Sequence, residues 1–260
     1  NELMKGHGGF NHTVQSLHIV EALERRYPQF PGLNLTWEVR EGIAKHATDY
    51  DLTEAGEYEP EKKASLEAQL VNVADEIAYT THDLDDGLRS GLIQVDDLRD
   101  IDLWQRSTTS LGIEESDVSE MARRRRVRYL INELVTDVID TIDRQLRDLH
   151  IETPADVRDA RCNLAAFSPG MAQQNRQLKD LLLERLYRHY RVIRMQVKAQ
   201  RLIRRLFRAY LDEPRQLPPE IQSRVAEETP ERVVCDYVAG MTDRFAIQEY
   251  RKLFDPATRG

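Results

Sequence analysis

The spacing of helix breakers constrains this chain most. Twelve glycines and ten prolines are few for 260 residues. Between them apolar residues follow the helical period, and the every-second-residue alternation of a half-buried strand is scarce. An all-α fold is expected. Asn1 to Gly9, NELMKGHGG, reads as a cut end: a piece of helix, a glycine break and no initiator Met. Asn11 or His12 then caps a first helix with Leu17, Val20, Leu23 and Tyr27 inward, stopped by Pro28 and Pro31. Thr36 is an N-cap for a second helix, WEVREGIAKH. After a polar loop, Ala47 to Pro60, a long helix runs from about Glu61 to Arg89 and ends near Gly91. A short helix, Gln94 to Trp104, and a linker, Ser107 to Gly112, precede a long helix from about Glu114 to Leu149. Thr153-Pro154 and Thr229-Pro230 place a capping hydroxyl before proline, a helix-start signal. The longest helix is expected from Gln173 to Leu211, where PRQLPPE breaks it. Two short helices follow, about Glu231 to Ala239 and Thr242 to Phe254.

Hydrophobic residues make up 40% and charged residues 32%, enough for a core and too polar for a membrane protein. No run approaches the roughly 20 apolar residues that span a bilayer, and the N-terminus lacks the apolar region of a signal peptide. A cytoplasmic setting fits. Cys162 and Cys235 lie too far apart in sequence to read as a disulfide framework. The net charge of -8 argues against generic nucleic-acid binding, yet charge is uneven. Acid concentrates from Asp49 to Asp102, and base in RRRRVR (Arg123 to Arg128) and from Arg185 to Arg208. This asymmetry suits a local anionic ligand or an acidic neighbouring subunit. Arg123 to Arg126 cannot all face one way on a helix, so at most half of them serve one phosphate site. The bland reading of these runs is a solvated or interhelical ion-pair face.

The stretch VADEIAYTTHDLDD, Val73 to Asp86, carries the candidate chemistry. At about 100° per residue, Leu66, Leu70, Val73, Ile77 and Leu84 share one face of the Glu61–Arg89 helix, a core stripe. Asp75, Tyr79 and Asp83 fall at i, i+4 and i+8 on the other side and span about 12 Å, close to the size of a nucleoside with its phosphates. A solvated polar face has the same spacing, so periodicity alone does not separate the two readings. Tyr79 is the odd member, because a large ring among acids favours partial burial. His82-Asp83 point about 100° apart and cannot form a metal site by themselves. No HxxxH, HExxH, phosphate loop or GxSxG elbow is present.

Five stretches in order, GGFNHTVQSLHIVEALERRYP, FPGLNLTWEVREGIAKH, EAQLVNVADEIAYTTHDLDDGL, LKDLLLERLYRHYRV and DYVAGMTDRFAIQEY, resemble the deoxynucleoside triphosphate triphosphohydrolases, the dGTPase-like branch of the HD superfamily. The resemblance implies a multi-helix HD-like bundle, residues 1–106 forming the C-terminal part of a catalytic domain and 107–260 a helical C-terminal region. It implies hydrolysis of a dNTP to deoxynucleoside and inorganic triphosphate, a divalent metal such as Mg or Mn, homo-oligomers, and in some members regulation by dNTPs or single-stranded DNA. By alignment to the motif Asp-Glu-Ile-Ala-Tyr, Asp75 is a metal ligand. Tyr79 packs on the deoxyribose and Asp83 accepts the sugar 3′-OH. Lys45 is carried over as a phosphate contact, Tyr187 as a neighbour of the base, and Lys179 lies two turns before it on a similar face. The family's first His, its His-Asp pair and its catalytic His and Glu lie upstream of the segment like NELMKGHGGF and are absent here. The chain is thus expected to be a C-terminal portion that holds metal weakly or not at all and is inactive alone. The competing expectation is a regulatory or oligomerisation module that binds nucleotides or single-stranded DNA through its arginine helices.

Overall fold

The computed structural model describes residues 1–46 and 58–258. Most of the expected polar loop, and the start of the acid-rich stretch, therefore lie outside the described residues. Those that are described form eleven α-helices, a few single helical turns and no strand beyond an isolated Arg25–Gly32 bridge. The all-α expectation holds. No described helix is long and apolar enough to cross a membrane. The chain divides into two compact units, Leu17–His189 and Asn1–Ser16 with Tyr190–Gly260.

In order, the helices are α1 (His12–His18), α2 (Trp37–Ala44), α3 (Leu66–Arg89), α4 (Asp102–Leu111), α5 (Glu120–Asp148), α6 (Pro154–Arg158), α7 (Pro169–Leu182), α8 (Tyr190–Asp212), α9 (Pro219–Val225), α10 (Pro230–Ala239) and α11 (Asp243–Phe254). A widened turn extends α1 through Ile19–Leu23 and another extends α7 through Leu183–Tyr187. Tyr27 thus falls outside the first helix and is exposed, not inward.

In the Leu17–His189 unit, α3 packs against α5 and α7, and α4 against the same two. Ile77 and Leu84 of α3, Trp104 of α4, Leu130, Leu134 and Val138 of α5, and Leu178 and Leu182 of α7 close the core. The stripe read from the sequence is correct from Val73 onward. At its start Leu70 is exposed and Gln69 turns inward instead. The Gln69 amide donates to Ala64 O (2.8 Å) and accepts from Leu164 N (2.7 Å), which joins the start of α3 to the segment before α7. A hydrogen-bonding side chain suits this place because buried backbone groups need partners. Further along, α3 passes so close to Ile93 that a Cβ on Gly87 would stand 2.4 Å from its Cδ1.

The expected linker Ser107–Gly112 is helix up to Leu111, with Gly112 as a left-handed cap at φ +59°. Its Ser107 and Trp104 are buried. The arginine run explains part of this order. Arg126 is 1% exposed, lies 4.3 Å from the Trp104 ring centroid, and donates to the carbonyls of Asp117 and Glu114. Burial pulls its pKa below the ordinary arginine value, against the opposing influence of Asp117. Arg123 donates to Asp85 (3.0 Å), Arg124 pairs with Glu120 (2.6 Å), and Arg125 donates to Leu111 O. All four serve intramolecular contacts.

The helix expected from Gln173 to Leu211 is broken. Arg188 N bonds Leu183 O, a widened turn, and the chain leaves helical geometry before α8 begins at Tyr190. The inserted residue rotates the following side chains by about 100°. Leu186 lies within this turn and packs in the core with Leu178 and Leu182. The longest helix is consequently α5.

In the other unit, Met4, Leu206, Phe207, Tyr210, Leu217, Val234 and Cys235 form the core. Both cysteines are free. Beside this core Asp236, 4% exposed, accepts from Arg224 Nη2 (2.7 Å), Arg232 Nε (2.9 Å) and Gln15 Nε2 (3.0 Å). Burial is the largest influence on this carboxyl and acts to raise its pKa. The donors Arg224, Gln15 and Arg232 together outweigh it, and the net value lies below the ordinary one. A depressed carboxyl stabilises the fold above its unfolded pKa of about 3.9 and loses that stabilisation as pH falls through the folded value. Asp236→Asn should therefore lower unfolding stability at neutral pH by about 3–5 kcal/mol. Urea titrations of both proteins should show the gap narrowing below about pH 4; a gap independent of pH would contradict this role.

Candidate functional site

Helix α3 starts at Ser65, whose hydroxyl accepts from Ala68 N (3.2 Å). Its core stripe fixes the helix rotation, and this turns Glu76 and Tyr79 toward a cavity of ≈510 Å³ within the Leu17–His189 unit. Lys45, Asn175, Arg176 and Lys179 line the same space. Three of the six residues singled out from the sequence, Lys45, Tyr79 and Lys179, thus share one cavity. Asp75, Asp83 and Tyr187 are not among its lining residues.

Glu76 ties the walls together. Its Oε1 accepts from Asn175 Nδ2 (2.8 Å) and from Lys179 Nζ (3.0 Å). Lys179 is 5% exposed, and its ammonium lies 5.7 Å from the Tyr79 ring centroid, within range of a cation–π attraction. Asn175 is also buried, and with its amide nitrogen directed to Glu76 its Oδ1 has no hydrogen-bond partner. An orphaned buried acceptor costs about 1–3 kcal/mol.

Lys45 follows α2, where Thr36 caps the helix start. Its ammonium donates to Glu41 Oε1 (2.6 Å), Lys62 O (2.9 Å) and Glu59 O (3.0 Å). Those bonds match the three donors an ammonium carries. Lys45 therefore holds a loop to its helix and presents the cavity with fixed positive charge, not a spare donor. Glu41, fully buried, also accepts from Arg158, and that hydrogen bond raises the Arg158 pKa above the ordinary arginine value.

The ends of the row differ from its middle. Asp83 is half-buried and accepts a hydrogen bond from the Tyr187 hydroxyl, delivered by the widened turn after α7. The adjacent His82 is exposed. Asp75 is exposed, with its Oδ2 3.9 Å from His46 Nε2. The other ring nitrogen, Nδ1, donates to Asn72 Oδ1, which sets the tautomer and leaves Nε2 toward Asp75.

Residues 165–252 match the family model described as a phosphohydrolase-associated domain. A deoxyguanosinetriphosphate triphosphohydrolase-like protein from Geobacter metallireducens is 45% identical over 262 residues, covering all of this chain and 68% of that protein. Its counterpart in Thiobacillus denitrificans is 46% identical over 261 residues, covering 98% of this chain and 68% of its own length. The chain belongs to the deoxyguanosinetriphosphate triphosphohydrolase-like family.

Within this triphosphohydrolase-like chain, the residues that the sequence reading passed over sit next to those it chose. Glu76 follows Asp75 in the quoted motif, and His46 follows Lys45. Asn175 lies one helical turn before Lys179, so an i, i+4 search of α7 would have found it. Arg176 required the fold. Asp75 and His46 offer a divalent ion two donors, and among the described residues no trio of His, Cys, Asp and Glu ligand atoms includes Asp75. Two donors fall short of the four to six or more ligands such ions take.

The Tyr187–Asp83 bond is charge-assisted and joins the end of the α7 segment to α3. Tyr187→Phe should lower stability by about 1–2 kcal/mol in urea unfolding without loss of helical circular dichroism. No change in the midpoint would show that the bond contributes nothing.

Proposed function

We propose that the cavity between α3 and α7 binds a 2′-deoxynucleoside triphosphate, and that this chain is the nucleotide-holding part of an enzyme that cleaves a dNTP to deoxynucleoside and inorganic triphosphate. The observation that carries this reading is the shared lining: Lys45, Arg176 and Lys179 beside Tyr79 in one cavity of ≈510 Å³. Cationic and amide groups beside a phenol suit a ligand with a polyanionic end and a flat, partly apolar end. The relatives' printed names, deoxyguanosinetriphosphate triphosphohydrolase-like, support the same ligand class.

Tyr79 packs against the deoxyribose. Asp83 reads the 3′-OH: Tyr187 takes one carboxylate oxygen, Oδ2, and Oδ1 retains lone pairs for the sugar hydroxyl. Tyr187, bonded to Asp83, is the proposed neighbour of the base. Lys179 and Arg176, one turn apart on α7, face the phosphates, and Lys45 adds positive potential. Asp75 contributes one carboxylate to a divalent ion. When bound, such an ion would acidify a water and polarise the phosphorus under attack. Because Asp75 and His46 do not complete a coordination set, the chain alone is an inactive binder.

The test combines two assays on the chain. Isothermal titration with dGTP and Mg²⁺ should show binding that Tyr79→Ala weakens about tenfold, the size of a lost aromatic contact. A metal-supplemented assay should detect no inorganic triphosphate. Clear release of triphosphate would refute the inactivity of the chain, and equal dGTP affinity in Tyr79→Ala would refute the site.

A further inference from the structure

We infer that Glu76 is a positioning residue for triphosphate recognition: its carboxylate holds Lys179 against Tyr79 and locks the Asn175 amide, so that the α7 wall meets the phosphates with its cation already in place. The inference rests on the dNTP-binding reading of this cavity and adds a residue, and a division of labour, that the reading does not contain.

Several observations converge on Glu76. One oxygen, Oε1, receives both Asn175 Nδ2 and Lys179 Nζ, at 2.8 and 3.0 Å. The two donors stand at i and i+4 on α7, whereas Glu76 stands on α3, so this carboxylate bridges opposite walls of the cavity. Lys179 is 5% exposed, and an ammonium so far from water needs an opposite charge to stay there. The Tyr79 ring, one turn beyond Glu76 on α3, supplies a second attraction at 5.7 Å but no full charge.

Asn175 bears on the same carboxylate. Its nitrogen donates to Glu76, and its oxygen is left buried without a partner. Turning the amide over would press that oxygen against the carboxylate, so Glu76 dictates the orientation despite the orphaned acceptor. Asn175 lines the cavity, and its oxygen is thereby left as an acceptor for a ligand donor.

A carboxylate beside a triphosphate also repels it. Here positioning outweighs repulsion. Removing the charge while keeping the shape, Glu76→Gln, should let Lys179 leave its place, and phosphate recognition should suffer even though the cavity has become more positive.

Two readouts on the chain decide this. The first needs no nucleotide: acetylation of Lys179 by an N-hydroxysuccinimide ester, followed by peptide mass spectrometry, with the exposed Lys198 as internal reference. Glu76→Gln should raise Lys179 reactivity about tenfold, the scale of a lost bond to a charged group, and leave Lys198 unchanged. The second is binding of dGTP, tripolyphosphate and deoxyguanosine. Affinity for the first two should fall about tenfold in Glu76→Gln and equally in Lys179→Met, with no further fall in the double variant, while deoxyguanosine affinity stays the same. Should Glu76→Gln fail to fold, Lys179→Met and the charge-retaining Glu76→Asp carry the comparison, Glu76→Asp keeping more affinity than Lys179→Met. Unchanged Lys179 reactivity, dGTP affinity that rises in Glu76→Gln, or an equal loss of deoxyguanosine affinity would each overturn the inference. Absence of dGTP binding by the wild-type chain would instead remove the nucleotide reading, and the acetylation result would still decide whether Glu76 holds Lys179.

Discussion

A charge removed from water must meet opposite charge or several hydrogen bonds, at a penalty of several kcal/mol if it does not. That constraint organises both units of this protein. Glu41 is fully buried and sits between Lys45 and Arg158. Arg126 lies under Trp104 with two carbonyls as acceptors. Lys179 is answered by Glu76. In the other unit Asp236 collects two guanidiniums and an amide. Each of these joins parts of the chain that the apolar core alone would leave free to slide, because hydrophobic contacts carry little direction.

The candidate site follows from the same constraint. The apolar stripe of α3 sets its rotation, and what remains on its far side is acid and phenol. Lysine, arginine and asparagine on α7 then face Glu76 and Tyr79 across the cavity. Two polar contacts, the ion pair between Glu76 and Lys179 and the hydrogen bond from Tyr187 to Asp83, join the α7 segment to α3. Such contacts fix separation and orientation more sharply than packing does. A ligand of nucleotide size would meet a surface whose charges are already in place, which reduces the ordering cost of binding.

Much of the fold was legible in the sequence because helix periodicity and caps are local. Thr36, Thr153 and Thr242 cap helices as their positions suggest. The break between α7 and α8 was not legible. No glycine or proline marks it, and neither the helical period nor a capping residue announces a widened turn at Leu183–Tyr187. Gln69 in place of Leu70 has a similar origin, since its partners lie in a segment far along the chain. At the site, Asp75, Tyr79 and Asp83 could be listed from spacing and resemblance, yet their surroundings could not. Spacing did not reveal that Asp75 would be exposed beside His46, that Asp83 would already carry a hydrogen bond, or that Lys45 would have its ammonium engaged three times. Those are properties of pairs brought together by the fold. Glu76 was hidden for the same reason: beside Asp75 it reads as another solvated acid until α7 arrives opposite it.

The central proposal is that a deoxynucleotide occupies the cavity lined by Tyr79 and meets Tyr187 with its base. Selective labelling of tyrosine rings and a nuclear magnetic resonance titration with dGTP tests it most directly. Occupancy of this cavity requires the ring signals of Tyr79 and Tyr187 to shift together and saturably, while those of Tyr210 and Tyr237, in the other unit, stay in place. Shifts confined to Tyr210 and Tyr237, or no saturable shift at Tyr79, would show that the nucleotide does not bind there.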